Sequence, residues 1–455
     1  MAKRTKQNKN TVRQSKAPAR VPTVSVTQGT ALRAALRKAD TSMLLWAVIL
    51  FQVTAMLMLT LRDSPIDTQS LVLAGVMPVV TWLYAKLIPR LWRVDRVILI
   101  LCLFLCSVSV VTLTAIARAT VTPLTQAENI AIGLVGLAAG IVFIRLLRHW
   151  KRWTIVLMIL SLGLIALPLV IGTEKNGALN WILLPGGVSM QPSEFVKVAL
   201  ALVLAICLSE RQRALMKAAA IFFGAALCGI LLLQRDLGAL MLYFLTTVTL
   251  YYIATSNTAL ALLGLGAGAG GAVGAYFMFD YVRQRVASWR NPWSDPTGSG
   301  YQVIQSLIAI GSGGLFGMGL GLGMPRMIPL YHSDFIFAAI CEQFGLVFAL
   351  GLLAVYLLIV MRGITIAMNC RDSFHALTAF GIVTMLGLQT LLIVGGNIRL
   401  IPLTGVTLPF VAAGGSSLVS CMTGIGVLLG ISSLNADRDE AEVARAAWLG
   451  GGDRA

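Results

Sequence analysis

Charge is scarce in this 455-residue chain: 12% of residues are Asp, Glu, Lys or Arg, and 19 acidic residues face 36 basic ones. Set against 57% apolar residues and a mean hydropathy of +0.82, that scarcity excludes a soluble globular domain. Cysteine gives no metal site. Cys102, Cys106, Cys207, Cys228, Cys341, Cys370 and Cys421 fall in or beside apolar runs without ligand spacing, and read as small buried apolar residues. The glycine run from Gly311 to Gly323 lacks the Gly-Lys-Ser/Thr of a phosphate loop and follows no strand, which leaves a re-entrant or interfacial turn. No cleavable signal peptide is evident, because the first apolar run begins near Met43 and is long enough to span. There is also no internal repeat of the kind that marks many secondary transporters.

What the chain has in abundance is long apolar runs. A helix needs about 20 apolar residues to cross a hydrocarbon core of roughly 30 Å with its backbone satisfied. Twelve stretches qualify: Met43 to Leu61, Ser70 to Ile88, Val97 to Ile116, Ile130 to Leu147, Thr154 to Ile171, Pro192 to Leu208, Leu215 to Leu233, Leu237 to Ala254, Ala259 to Phe279, Phe335 to Met361, Ala376 to Gly396 and Leu408 to Ile431. The fold class is therefore an all-α polytopic membrane protein with about twelve transmembrane helices. Basic residues mark every second connection: Lys86/Arg90/Arg93/Arg96, Arg145/Arg148/Lys151/Arg152, Arg211/Arg213/Lys217 and Arg362/Arg371. By the positive-inside rule both termini are cytoplasmic, and a large extracellular loop, Asp280 to Asp334, separates spans nine and ten. Residues 1–40, basic and poor in large apolar side chains, read as a disordered cytoplasmic tail; 41–434 form the membrane domain and 435–455 a cytoplasmic C-terminal tail. The net charge of +17 sits largely in that first tail and the inner loops, so its partner is anionic membrane lipid and not nucleic acid.

Three constellations can carry chemistry. In Gln191-Pro192-Ser193-Glu194-Phe195-Val196-Lys197, a proline suited to a first helical turn leads a carboxylate and an ammonium into the membrane together. The pair is either an ion lock between helices or a functional charge pair facing a cavity. In Asn291-Pro292-Trp293-Ser294-Asp295-Pro296-Thr297-Gly298-Ser299-Gly300-Tyr301, Asp295 is either a turn former or a general base, with Arg283 and Arg285 upstream as cations for an anionic leaving group. His332 and Asp334, before the tenth span, cap a helix or position a substrate. The run Gly264 to Gly274 fits close helix packing in lipid.

Taken in order, the strings QPSEFVKVAL, LLQRDLGA, RVASWRNPWSDPTGSGYQVIQSLIAIGSGGLFGMGLGLG, HSDFIFAAICEQFG and NIRLIPLTGVTLPFVAAGGSS closely resemble the SEDS family of FtsW, RodA and SpoVE, from about Asn176 to Ser417. The resemblance implies a peptidoglycan glycosyltransferase that polymerises lipid II outside the cytoplasmic membrane, in elongation or division, beside a class B penicillin-binding protein. It places the family's essential loop acid on Asp295, its cavity charge pair on Glu194 and Lys197, and the tryptophan of a short motif on Trp181. Asn180 stands where many members carry Arg, Ala412-Ala413 where Ser-Tyr is common, and two spans are added within the N-terminal region 41–175, ahead of a family core at 176–434. This longer form resembles certain Gram-positive members.

A catalyst for such a substrate needs an apolar groove topped by cations and a base. On this reading Asp295 takes the proton of the acceptor 4-hydroxyl as it attacks the donor's anomeric carbon, displacing undecaprenyl pyrophosphate with inversion. Lys197, held by Glu194, stabilises the diphosphate, with Arg283 and Arg285 at the mouth and His332 and Asp334 positioning substrate. A divalent cation, magnesium or manganese, could bridge diphosphate and Asp295, although no cage of oxygen ligands is dedicated to it. Two other classes fit the same charges: a lipid II flippase or transporter, and a noncatalytic scaffold for the penicillin-binding protein.

Overall fold

The computed structural model of the chain describes residues 41–62, 67–116, 122–147, 149–175, 177–184, 189–209 and 214–451. The tail at 1–40 and the loop residues Arg148, Arg211 and Arg213 lie outside the described residues. Among the described residues, twelve helices are long and apolar enough to cross a membrane. They are α1 (Ser42–Arg62), α2 (Thr68–Trp92), α3 (Arg96–Ile116), α4 (Pro123–Leu146), α5 (Thr154–Ala166, extended by a turn at Pro168–Ile171), α6 (Pro192–Ser209), α7 (Ala214–Leu233), α8 (Leu237–Thr255) and α9 (Thr258–Met278), then α12 (Ile336–Met368), α13 (Ser373–Asn397) and α14 (Gly415–Gly451). Capping side chains fix several starts: Asp67, Thr122, Asp236, Asn257 and Asp372 each accept a backbone N–H from the first turn of the helix that follows. From Arg438 onward α14 belongs to a separate compact unit, where Arg438 and Asp439 pair at 3.7 Å.

The helices do not share burial equally. In α3, 89% of the apolar window is enclosed, with α1, α2, α4 and α12 packed around it, whereas the window of α9 has no buried residue. Polar side chains lock the first spans together inside the apolar layer: the Gln52 amide donates to Thr81 at 2.8 Å and to Ser107 at 2.6 Å, joining α1, α2 and α3, and Gln126 of α4 donates to Ser109 at 2.8 Å. The glycine run of α9 packs less than its composition suggests. Gly264 and Gly268 meet Val248 and Phe244 of α8, while Gly266, Gly270, Gly271 and Gly274 face no neighbour.

The outer segments depart from the expected loops. Three short strands, β1 (Thr173–Lys175), β2 (Ala178–Leu183) and β3 (Ser189–Met190), form an antiparallel sheet in which Asn180 and Ile182 alternate inward along β2. The large loop folds into α10 (Asp280–Arg290) and α11 (Tyr301–Gly313), the second buried through Val303, Ile304, Ser306 and Ala309. Residues 408–414, expected to open the last span, are an irregular loop, because Pro409 and the Gly414-Gly415 step delay the helix.

The glycine run is neither phosphate loop nor simple turn. It repairs a break in α12, where Gly345 has φ 81° and ψ 174°. Met318 and Gly319 donate to the Glu342 and Gln343 carbonyls at 2.8 and 3.1 Å, and Leu346 and Val347 donate back to Gly314 and Leu315 at 3.0 and 3.1 Å. The Glu342 carboxylate accepts the Met324 N–H at 2.8 Å, which fastens the run from below. A methyl group on residue 345 would collide with the backbone of Leu315 and Gly317 in a backbone region that L residues avoid. Gly345→Ala is expected to cost at least about 2 kcal/mol, read as a lowered thermal midpoint in detergent. Gly351→Ala, where the new methyl meets nothing, is the control and should leave the midpoint unchanged or slightly raised.

Candidate functional site

The acid of the outer loop sits in a cradle made by its own turn. Asp295 Oδ1 accepts the Gly298 N–H at 3.1 Å, and Oδ2 accepts the Ser299 N–H at 2.8 Å and the Ser299 hydroxyl at 3.1 Å. A Cβ on Gly298 would overlap the carboxylate as it is placed here, so any other residue would push Asp295 out of this cradle. The Ser299 backbone and side-chain bonds, followed by Gly298, hold the Asp295 carboxyl below the usual carboxylate range and outweigh slight desolvation, so it is ionised at neutral pH.

Deeper in the molecule, Glu194 and Lys197 lie one turn apart on α6, both buried and paired with each other. Lys197 Nζ also donates to Gln389 Oε1 of α13 at 2.9 Å. A polar chain then climbs outward: Gln389 Nε2 donates to the Thr407 carbonyl at 2.8 Å, and the Thr407 and Ser417 hydroxyls share a hydrogen bond of 2.7 Å. Lys197 lines a small pocket of about 40 Å³, and this chain of hydrogen bonds links it to residues at the outer ends of the spans.

Two larger cavities that share a wall open on the outer face, of about 340 and 270 Å³, and a third of about 320 Å³, lined by Arg62, Ile116 and Arg326 among others, shares no lining residue with them. Ser299, the residue that binds Asp295, lines the first, together with Trp289, Gln302 and Arg399. The second is lined by Trp181, Arg235, His332, Thr407 and Ser417, among others. Arg285, Leu330, Asp334 and Gly405 line both and so form the shared wall. That wall is built by contacts from distant elements. The Arg285 guanidinium donates to the Leu403 and Thr404 carbonyls at 3.1 and 3.3 Å. The buried Asn397 amide donates to the Asp334 carbonyl at 2.8 Å and accepts from Ala338 N–H at 3.2 Å, while its own carbonyl takes the Ser306 hydroxyl at 3.0 Å.

Of the residues singled out in the sequence, the structure brings Trp181, His332, Asp334 and Arg285 to these cavities. Arg283 is not among their lining residues: it is exposed and paired with Asp280 at the start of α10. One residue that sequence reasoning left without a role also appears. Arg235, in the left-handed region at φ 61°, stands over the Tyr281 ring at 5.9 Å. Asp236 caps α8 and accepts from Asn180 at 2.7 Å and Gln191 at 3.0 Å, so the amide at 180 serves an acid where a guanidinium is common in the family.

Burial pushes Asp334 up to about 6, against the opposing pull of the Ser333 hydroxyl and Arg285, and burial lowers His332 so that it is neutral at pH 7. A carboxyl with a raised native value binds more protons folded than unfolded, so its contribution falls as pH rises from about 4 to 6. Native protein should therefore gain thermal stability, relative to Asp334→Asn, as pH drops from 7 to 5. Parallel melting curves for the two chains at both pH values check this.

Fold and site define a polytopic membrane protein with cavities at one face lined by arginines and carboxylates. Comparison with known proteins makes this specific. A family model described as "Cell cycle protein", covering FtsW, RodA and SpoVE, matches residues 90–437, which leaves α1 and all but the last residues of α2 ahead of the matched region. The chain is 35% identical over 320 residues to peptidoglycan glycosyltransferase RodA of Mycobacterium tuberculosis (strain ATCC 25618 / H37Rv), covering 66% of this chain and 68% of the relative. It is 39% identical over 298 residues to stage V sporulation protein E of Bacillus subtilis (strain 168), covering 62% and 80%. Among solved structures it is similar to Rod shape determining protein RodA of Thermus thermophilus, at 28% identity and TM-score 0.57 over 76% of this chain and 98% of that one. It is also similar to a chain from a study of "structural coordination of polymerization and crosslinking by a peptidoglycan synthase complex", at 28% identity and TM-score 0.64 over 75% and 98%. The chain belongs to the FtsW, RodA and SpoVE family.

Proposed function

We propose that this chain is a peptidoglycan glycosyltransferase in which Asp295 is the general base. The observation that carries the assignment is the ionised Asp295 carboxylate bound to Ser299, which lines a cavity that shares its wall with a second cavity bearing Arg235 and Arg285. Proton transfer, bond formation and departure of an anion need those groups in that order. The acceptor hydroxyl gives its proton to Asp295, its oxygen bonds to the anomeric carbon from the face opposite the leaving group, and the C–O pair goes to the lipid diphosphate. Arg235 and Arg285 meet the growing negative charge directly, and Lys197 supports it through Gln389, Thr407 and Ser417. A carboxylate held low is a weak base, but the attacking hydroxyl becomes far more acidic as its oxygen bonds to carbon. Substrate that displaces the Ser299 hydroxyl would also restore basicity to Asp295.

Lipid II is the substrate this reading requires, with its tail in the apolar layer. A class B penicillin-binding protein is the expected partner, supported by the similar chain studied within a peptidoglycan synthase complex. Among the described residues no three His, Cys, Asp or Glu side chains gather as a metal cage, so any magnesium or manganese would come with the diphosphate, and no step is assigned to it. The test is to give purified protein lipid II, alone and with its transpeptidase, and to measure glycan polymer and lipid II crossing of a bilayer. Polymer that depends on Asp295 supports the enzyme. Transbilayer movement without polymer would establish the transporter, neither polymer nor movement would leave only a scaffold, and polymer at the native rate after loss of Asp295 would move the base to another residue.

A further inference from the structure

We propose that the 340 Å³ cavity is the acceptor-saccharide subsite and that Trp289 is its stacking platform, the 270 Å³ cavity being left to the donor's diphosphate. This rests on the reading of Asp295 as the base and adds which substrate end lies where. The attacking hydroxyl must reach the base, and of the two cavities only the first has a wall residue, Ser299, hydrogen-bonded to the Asp295 carboxylate. The departing diphosphate needs positive charge; beside the shared Arg285 each cavity has one arginine, Arg399 in the first and Arg235 in the second, but only the second also receives the end of the polar chain from Lys197. Arg285 and Asp334, common to both, stand where the bond between the two substrates exchanges.

The lining of the first cavity suits a sugar. Trp289 donates its indole N–H to the Arg399 carbonyl at 3.1 Å, which uses the polar edge of the ring and fixes its orientation. An indole held in that way offers an electron-rich face, against which the electropositive C–H edges of a pyranose pack. Gln302 and Ser288 beside it supply donors and acceptors for hydroxyl and N-acetyl groups. At about 340 Å³ the cavity lies at the low end of the roughly 300–1,000 Å³ typical of ligand sites, which fits one or two sugar rings and not a lipid tail. Trp289 sits on α10 four residues after Arg285, so one helix carries both the platform and the shared wall.

The experiment uses the full chain in nanodiscs and a soluble probe, the β-1,4-linked tetrasaccharide of N-acetylglucosamine, with binding measured by calorimetric titration. Trp289→Ala should weaken binding at least about tenfold, which corresponds to about 1.4 kcal/mol. Trp289→Phe, which keeps an aromatic face, should recover most of it, and Arg235→Ala and Trp181→Ala should bind as the native chain does. With lipid II as substrate, Trp289→Ala should raise the concentration needed for half-maximal polymerisation more than it lowers the maximal rate. No binding by the native chain at millimolar probe, equal binding by Trp289→Ala, or loss in Arg235→Ala instead would each overturn the assignment. Asp295→Asn separates the two readings: it should bind the tetrasaccharide normally, and if it also polymerises at the native rate the base is misassigned while the subsite stands.

Discussion

Asp295→Asn is expected to slow glycan polymerisation by about 10²- to 10⁴-fold, the range a positioned general base contributes. The substitution suits the question because it keeps the shape of the side chain and the oxygen that accepts from the Gly298 or Ser299 N–H, while removing the charge and the basic lone pair. Asp295 is exposed and belongs to no helix, so the variant should express, insert and melt like the native chain. A fall in rate can then be assigned to chemistry and not to folding. The measurement is the initial rate of lipid II consumption into polymer at saturating substrate, with the thermal midpoint recorded on the same preparation. A rate within a factor of about two of native would end the assignment, since no base of that strength can be removed so cheaply. Asp334, on the wall between the cavities, would then be the carboxyl left to test.

The twelve spans were readable from the sequence because a hydrocarbon layer allows so few backbone solutions that length and apolarity suffice. The outer face was not, for reasons that particular residues show. Arg283 and Arg285 looked equivalent in a presumed loop, but on α10 residues two apart point roughly 200° away from each other. One therefore meets Asp280 and the other the cavity wall. Knowing that required knowing that the loop is helical. The shared wall itself joins residues 285, 330, 334 and 405, whose proximity depends on the Asn397 contacts to Asp334, Ala338 and Ser306, and no local pattern announces such a knot. Asp295, Glu194 and Lys197 were singled out as candidates by residue pattern and family resemblance, yet the polar chain from Lys197 through Gln389 was not visible, because an isolated glutamine in an apolar span gives no sign of what it will touch.

Lys197→Met is expected to destabilise the protein by about 3–5 kcal/mol, the usual effect of stranding one member of a buried ion pair. Glu194 would remain buried on α6 with its counter-charge gone, and Gln389 would lose the donor that its Oε1 now accepts from. Adding Glu194→Gln should recover most of that loss, since a neutral amide tolerates the same position better than an unpaired carboxylate. The double variant thus separates the two meanings of the pair. If Glu194 and Lys197 only lock helices, restored stability should bring polymerisation back toward the native rate. If Lys197 lends positive charge to the departing diphosphate through Gln389, Thr407 and Ser417, the double variant should melt close to native and still polymerise at least about tenfold more slowly, the loss expected when one electrostatic contribution to a transition state is deleted. Thermal midpoints and polymerisation rates for the native chain, both single variants and the double variant close the cycle. A stable, fully active double variant would remove the pair from the chemistry and leave Arg235 and Arg285 as the cations that receive the leaving group.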